Sequence, residues 1–248
     1  MVSGLTYWQW ACLVVAAFCT GLSKTGILGL GILSVALFAN VIPARESTGA
    51  ILPLLLCADV FGVLLYRKHA SWPHLCRLAA WVVAGVVLGY FALDRINNAQ
   101  MKRMIGTILL AMLALHWWRG RQTGDLAGRL PHSGWFAALM GVLAGFTTMV
   151  ANAAGPVMAL YFLAIGLPKL VFIGTAAWFF MLVNAFKVPF SAKLGLITSQ
   201  SLLMDAILLL PMIPGALLGP RLLGRINQRA FEKMVLVLTL AAVVRLLW

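Results

Sequence analysis

Residues 21–31 read G-L-S-K-T-G-I-L-G-L-G, and they lie in the middle of an apolar run that extends from 7 to 38. A spanning helix needs about 20 mostly apolar residues, so this run is too long for one simple crossing. Gly21, Gly26, Gly29 and Gly31 loosen helical order through their conformational freedom, and Lys24 puts a charge among them. Irregular backbone at membrane depth persists only where protein or a watery cavity satisfies its polar groups. The stretch therefore predicts a broken helix that lines a cavity.

A second run, 133–163, has the same design and carries Gly145, Thr147, Thr148, Asn152, Gly155 and Pro156 at its centre. Six more apolar runs lie near 47–66, 77–93, 103–118, 170–191, 198–219 and 231–247. Together they predict an all-α integral membrane protein of about eight transmembrane helices. Composition agrees: 62% of the 248 residues are hydrophobic and 10% are charged, against about 25% charged in ordinary soluble domains. So few charges could not cover a water-soluble fold. No long polar stretch marks a separate soluble module, and the N-terminus reads as a first span, with no basic region before it to suggest a cleaved signal.

The chain also repeats itself. Gly21 and Gly145 are 124 positions apart, and the same register pairs Gly31 with Gly155 and Phe38 with Phe162. After a one-residue slip, Pro43 pairs with Pro168, Gly49 with Gly174, and Asp59 with Asn184. Arg95-Ile96-Asn97 then matches Arg225-Ile226-Asn227, with Met104 and Met234 in the same register. Several unrelated features keep one order, which predicts two four-helix repeats, 1–130 and 131–248, within one membrane domain. Each opens on a broken helix.

The 19 Lys+Arg outnumber the 6 Asp+Glu. Loops rich in Lys and Arg stay cytoplasmic, which places both R-I-N loops on that side of the cell (inner) membrane. The 67–77 and 119–129 loops are also basic, and re-entrant breaks would invert one half relative to the other. Nucleic-acid binding needs a basic face on a soluble domain, and none is evident. Cys12, Cys19, Cys57 and Cys76 are scattered, and His69, His74, His116 and His132 fall at loops or helix ends. No metal site, cofactor or disulfide framework is expected. No nucleophile–base pair and no P-loop stand out, so neither an enzyme nor an ATP-driven pump is expected.

Paired broken helices in repeated halves are a transporter design, with substrate near the midplane against half-helix ends. A half-helix N-terminus offers free N–H groups and partial positive charge, which suits an anion. At the first break Ser23 and Thr25 supply hydroxyls, Lys24 supplies charge, and Gly26 and Gly29 let backbone N–H groups approach a ligand. At the second, Thr147, Thr148 and Asn152 form the polar set beside Gly155. Asn184 and Lys187 share one face of the sixth helix, and an ionisable group inside a span is a functional candidate by default. Lys187 is the leading counter-charge for an anion. The competing readings are snorkelling for the lysines and helix-to-helix hydrogen bonding for the threonines and asparagines. Asp59 pairs with a lysine or serves as a coupling residue for proton or sodium. Asp205 is expected near an interface.

The G-L-S-K-T-G-I-L-G-L-G break, the P-x-R-E-S-T-G turn from Pro43 to Gly49, and N-A-F-K from Asn184 to Lys187 resemble the TauE/SafE family over nearly the whole chain. The resemblance implies a membrane transporter for sulfite, sulfoacetate or another small sulfur-containing anion. At the second break, T-T-M-V-A-N stands where the family often has glycine. Two other functions remain open on the residues alone. One is a proton-coupled carrier of a cation or zwitterion that uses Asp59, and the other is a non-transporting membrane scaffold.

Overall fold

A computed structural model of the chain describes residues 5–27, 30–93 and 134–227, with single positions at 95, 99, 107, 110, 114, 229–231, 233, 234, 237, 240 and 244. Nine helices are labelled here: α1 (Tyr7–Thr25), α2 (Leu30–Val41), α3 (Ala44–Ala50), α4 (Leu52–Tyr66), α5 (Trp72–Leu93), α6 (Gly134–Ala151), α7 (Ala154–Ala164), α8 (Lys169–Lys193) and α9 (Ser199–Gly224). A 3₁₀ turn at Arg67–His69 joins α4 to α5. The described residues contain helix and no strand. The spans expected at 103–118 and 231–247, and Gly29, fall wholly or largely outside the described residues.

Five stretches are long and apolar enough to cross a membrane: Arg45–His69, Trp72–Leu93, Gly134–Ala151, Lys169–Lys193 and Ser199–Gly224. Their outward faces carry Leu64, Leu88, Phe91, Leu210 and Leu217, all more than half exposed. Bare leucine and phenylalanine on that scale belong against lipid, and the chain is a multi-pass membrane protein.

Both long runs divide into two helices, the first beside a glycine and the second at an asparagine. α1 ends at Gly26, where the Ile27 N–H turns back to the Leu22 carbonyl at 3.1 Å. α6 ends at Asn152, which adopts φ 50°, a left-handed conformation that asparagine tolerates better than most residues. One expected span is also interrupted. The run 47–66 is two helices that meet at Ile51, because Pro53 lacks an N–H and its ring displaces the carbonyl four residues back. By contrast, α9 runs straight through Pro211, Pro214 and Pro220.

The helices pack into two apolar cores. One joins α1, α2, α3 and α4 with α9, through Leu13, Phe38, Leu54 and Met212. The other joins α5, α6, α7 and α8, through Leu78, Phe136, Tyr161 and Phe172. Each core has a glycine seam where two helices touch backbone to backbone. A Cβ on Gly21 of α1 would lie 2.1 Å from the Met212 carbonyl oxygen and 2.7 Å from the Ala216 nitrogen of α9. A Cβ on Gly145 of α6 would lie 2.1 Å from the Val82 carbonyl oxygen and 2.9 Å from the Val86 nitrogen of α5. Small residues permit such approach in membranes, where helix association rests on packing and not on escape from water. Lys169, in the first turn of α8, donates to the Leu223 and Ile226 carbonyls and caps the free C-terminal end of α9.

Candidate functional site

The two breaks meet. Gly31, in the first turn of α2, and Gly155, in the first turn of α7, line one cavity with Ser23, Lys24, Thr148, Asn152 and Asn184. Val35, Leu55, Ala176, Ala177 and Phe180 complete its wall. The cavity has about 40 Å³ open to the centre of a water-sized sphere. At about 10–15 Å³ per water, that is room for roughly three waters or one small ion. No side chain caps the start of α7, so its first N–H groups are unsatisfied within the helix. Gly155 leaves the approach open, since a Cβ there would meet nothing within 4 Å.

Two lysines bracket the cavity with different partners. Lys24 Nζ is 2.8 Å from Asp59 Oδ1 and 4.1 Å from the centroid of the Phe180 ring, within cation–π range. Asn184 Nδ2 donates to the other carboxylate oxygen of Asp59 at 2.7 Å. Asp59 is therefore committed to α1 through Lys24 and to α8 through Asn184. Lys187, 1% exposed, donates to Thr148 Oγ1 at 3.2 Å and to Asn152 Oδ1 at 2.5 Å. These partners are neutral, whereas Lys24 has the Asp59 carboxylate. A buried cation with only neutral acceptors is expensive unless something anionic shares its site. Asn152 also donates through Nδ2 to the Thr48 carbonyl at 2.8 Å, which fixes its oxygen toward Lys187.

Some residues singled out from sequence stand elsewhere. Thr25 Oγ1 donates to the Gly21 and Ala216 carbonyls, facing α9, and Gly26 packs on Gly219. Thr147 Oγ1 bonds back to Leu143 and Ala144 in its own helix. Asp205 is 4% exposed and lines no part of this cavity. Sequence reasoning did not single out Phe180, which is an ordinary aromatic in an apolar helix until Lys24 lies over it. It also missed the Thr48 carbonyl, although Thr48 lies in the quoted turn from Pro43 to Gly49.

Every described wall residue falls within residues 13–246, which match the family model described as Sulfite exporter TauE/SafE. The chain belongs to the TauE/SafE family. No curated protein matches it, and no solved structure does. TauE/SafE is a family of membrane transporters and not of enzymes.

Proposed function

We propose that the chain is a secondary transporter of the cell (inner) membrane that carries sulfite or a small organosulfonate anion. Alternating access would operate at a midplane site between two repeats. The observation that carries this reading is Lys187, buried beside the cavity with no carboxylate partner. Lys24, Lys187 and Asp59 sum to one positive charge, which an anion neutralises. The unsatisfied N–H groups that open α7, and the first turn of α2 beside them, add partial positive charge. Thr148, Asn152 and Ser23 offer hydrogen bonds to its oxygens, and the room available suits a group of a few heavy atoms.

The repeat reading draws support from the glycine seams. Gly21 and Gly145 differ by 124, and the α9 and α5 atoms they meet, at 212 and 82 and at 216 and 86, differ by 130. These are two of the three registers in the sequence. A broken helix of each half lies against a later helix of the other, so the halves could rock about two matching seams.

The cation-carrier reading is weaker, because both oxygens of Asp59 are already engaged. Thermal stability of the detergent-purified chain, measured against sodium sulfite, thiosulfate, sulfoacetate, taurine, sulfate and chloride, tests the proposal. A ligand confined to the folded form adds RT ln(1 + [L]/Kd), about 2.7 kcal/mol at 100 Kd. A saturable shift with a sulfur oxyanion, lost in Lys187→Ala, is expected. An undiminished shift in a folded Lys187→Ala would sink the assignment.

A further inference from the structure

Asp205 is a second buried carboxylate, and the anion site does not use it. It lies seven residues into α9, on the side that packs against α4, and is 4% exposed. Neither of its oxygens has a hydrogen-bond partner. The groups that face it from α4 are the backbone of Leu54 and the thiol of Cys57. No cation stands within ion-pair distance among the described residues. An ionised carboxylate left bare at such depth is costly by several kcal/mol, so a positive species accompanies it. A metal ion would gather several oxygens, whereas no group of three or more metal-binding side chains exists among the described residues. A proton needs only the carboxylate.

A cavity lies on the same helix face. Ser201, one turn before Asp205, lines a second cavity of about 400 Å³ with Arg45, Glu46, Leu196 and Thr198. Arg45 and Glu46, on α3, are the charged groups in its wall. α4 links the two buried carboxylates. Its Leu54 and Cys57 adjoin Asp205, while its Leu55 and Asp59 belong to the anion site. The α4 segment from Leu54 to Asp59 rises only about 7.5 Å, so a shift of α9 against α4 acts on both places.

We propose that Asp205 is the proton-carrying residue of this transporter: it holds a proton in the conformation seen here and releases it to water through the Ser201 cavity when α9 moves against α4. The coupling half of this inference rests on the anion reading above; the proton site does not. Each cycle takes one proton onto the Asp205 carboxyl from water on one side of the membrane and releases it to water on the other, with no other bond made or broken.

Infrared spectra of the detergent-purified full chain test the proton site without any ligand. A protonated-carboxyl C=O band is expected at neutral pH in the wild type, kept but displaced in Asp205→Glu and lost in Asp205→Asn. Absence of the band from the wild type, or its retention unchanged in both variants, overturns the assignment. In proteoliposomes, an imposed pH gradient should raise radiolabelled sulfite uptake several-fold in the wild type. Asp205→Asn should retain only gradient-independent exchange. A wild type indifferent to the gradient, or an Asp205→Asn that still responds to it, overturns the coupling role. Failure of the wild type to exchange sulfite overturns the anion reading, and the infrared result then decides the proton site alone.

Discussion

Replacing Gly145 with alanine puts a methyl carbon 2.1 Å from the Val82 carbonyl oxygen. Carbon and carbonyl oxygen approach no closer than about 3.3 Å in ordinary helix contacts, so α5 and α6 must separate by about 1 Å. The obstruction is backbone, so no side-chain rotation relieves it, and overpacking of this kind falls near the upper end of about 1–3 kcal/mol. Alanine recovers about 1 kcal/mol of helix propensity, which leaves about 2 kcal/mol of net destabilisation. For a chain of this size that lowers Tm by about 4–8 °C. Gly21→Ala meets the Met212 carbonyl at the same 2.1 Å and should fall by the same amount. Gly134→Ala, with nothing within 4 Å of its Cβ, should hold or gain stability. Thermal unfolding of the three variants in one detergent measures all of this. Equal stability in all three would refute the backbone-contact reasoning, and a fall in only one of Gly21→Ala and Gly145→Ala would refute the equivalence of the seams.

Other outcomes follow from the polar centre. Asp59→Leu strands Lys24 in a buried site and should lose about 3–5 kcal/mol, while Lys24→Met combined with Asp59→Leu should recover most of it; denaturation of both measures the coupling. Asn152→Gly keeps the left-handed backbone but removes the Lys187 acceptor and the donor to Thr48. It should weaken sulfite-induced stabilisation, and Asn152→Ala should lose a further ~1 kcal/mol of stability to strain at φ 50°. Tyr66→Phe deletes the 2.7 Å bond from the Tyr66 hydroxyl to the Thr25 carbonyl at the first break. About 1 kcal/mol should be lost, read by thermal unfolding.

The sequence by itself determined the membrane, the breaks and the family. Apolar run length is a property of the chain alone, because a bilayer imposes one thickness on every span. Gly26 and Asn152 mark breaks for equally local reasons, since backbone freedom and left-handed tolerance belong to the residue. The motifs around Lys24, Pro43 and Lys187 carry the family resemblance in linear order. The spacings Gly85-x₃-Gly89, Gly141-x₃-Gly145 and Gly215-x₃-Gly219 were also present in the sequence, yet which helix each would face was not, because small residues permit contact without naming a partner. Tertiary structure alone decided which polar groups meet. It turned Thr25 and Thr147 toward neighbouring carbonyls, committed Asp59 to Lys24 and Asn184, and left Lys187 with neutral partners. It also buried Asp205 without a side-chain hydrogen-bond partner. Side-chain direction depends on how helices rotate against each other, and that rotation is set by contacts between residues far apart in the chain, from Gly145 on Val82 to Gly21 on Met212.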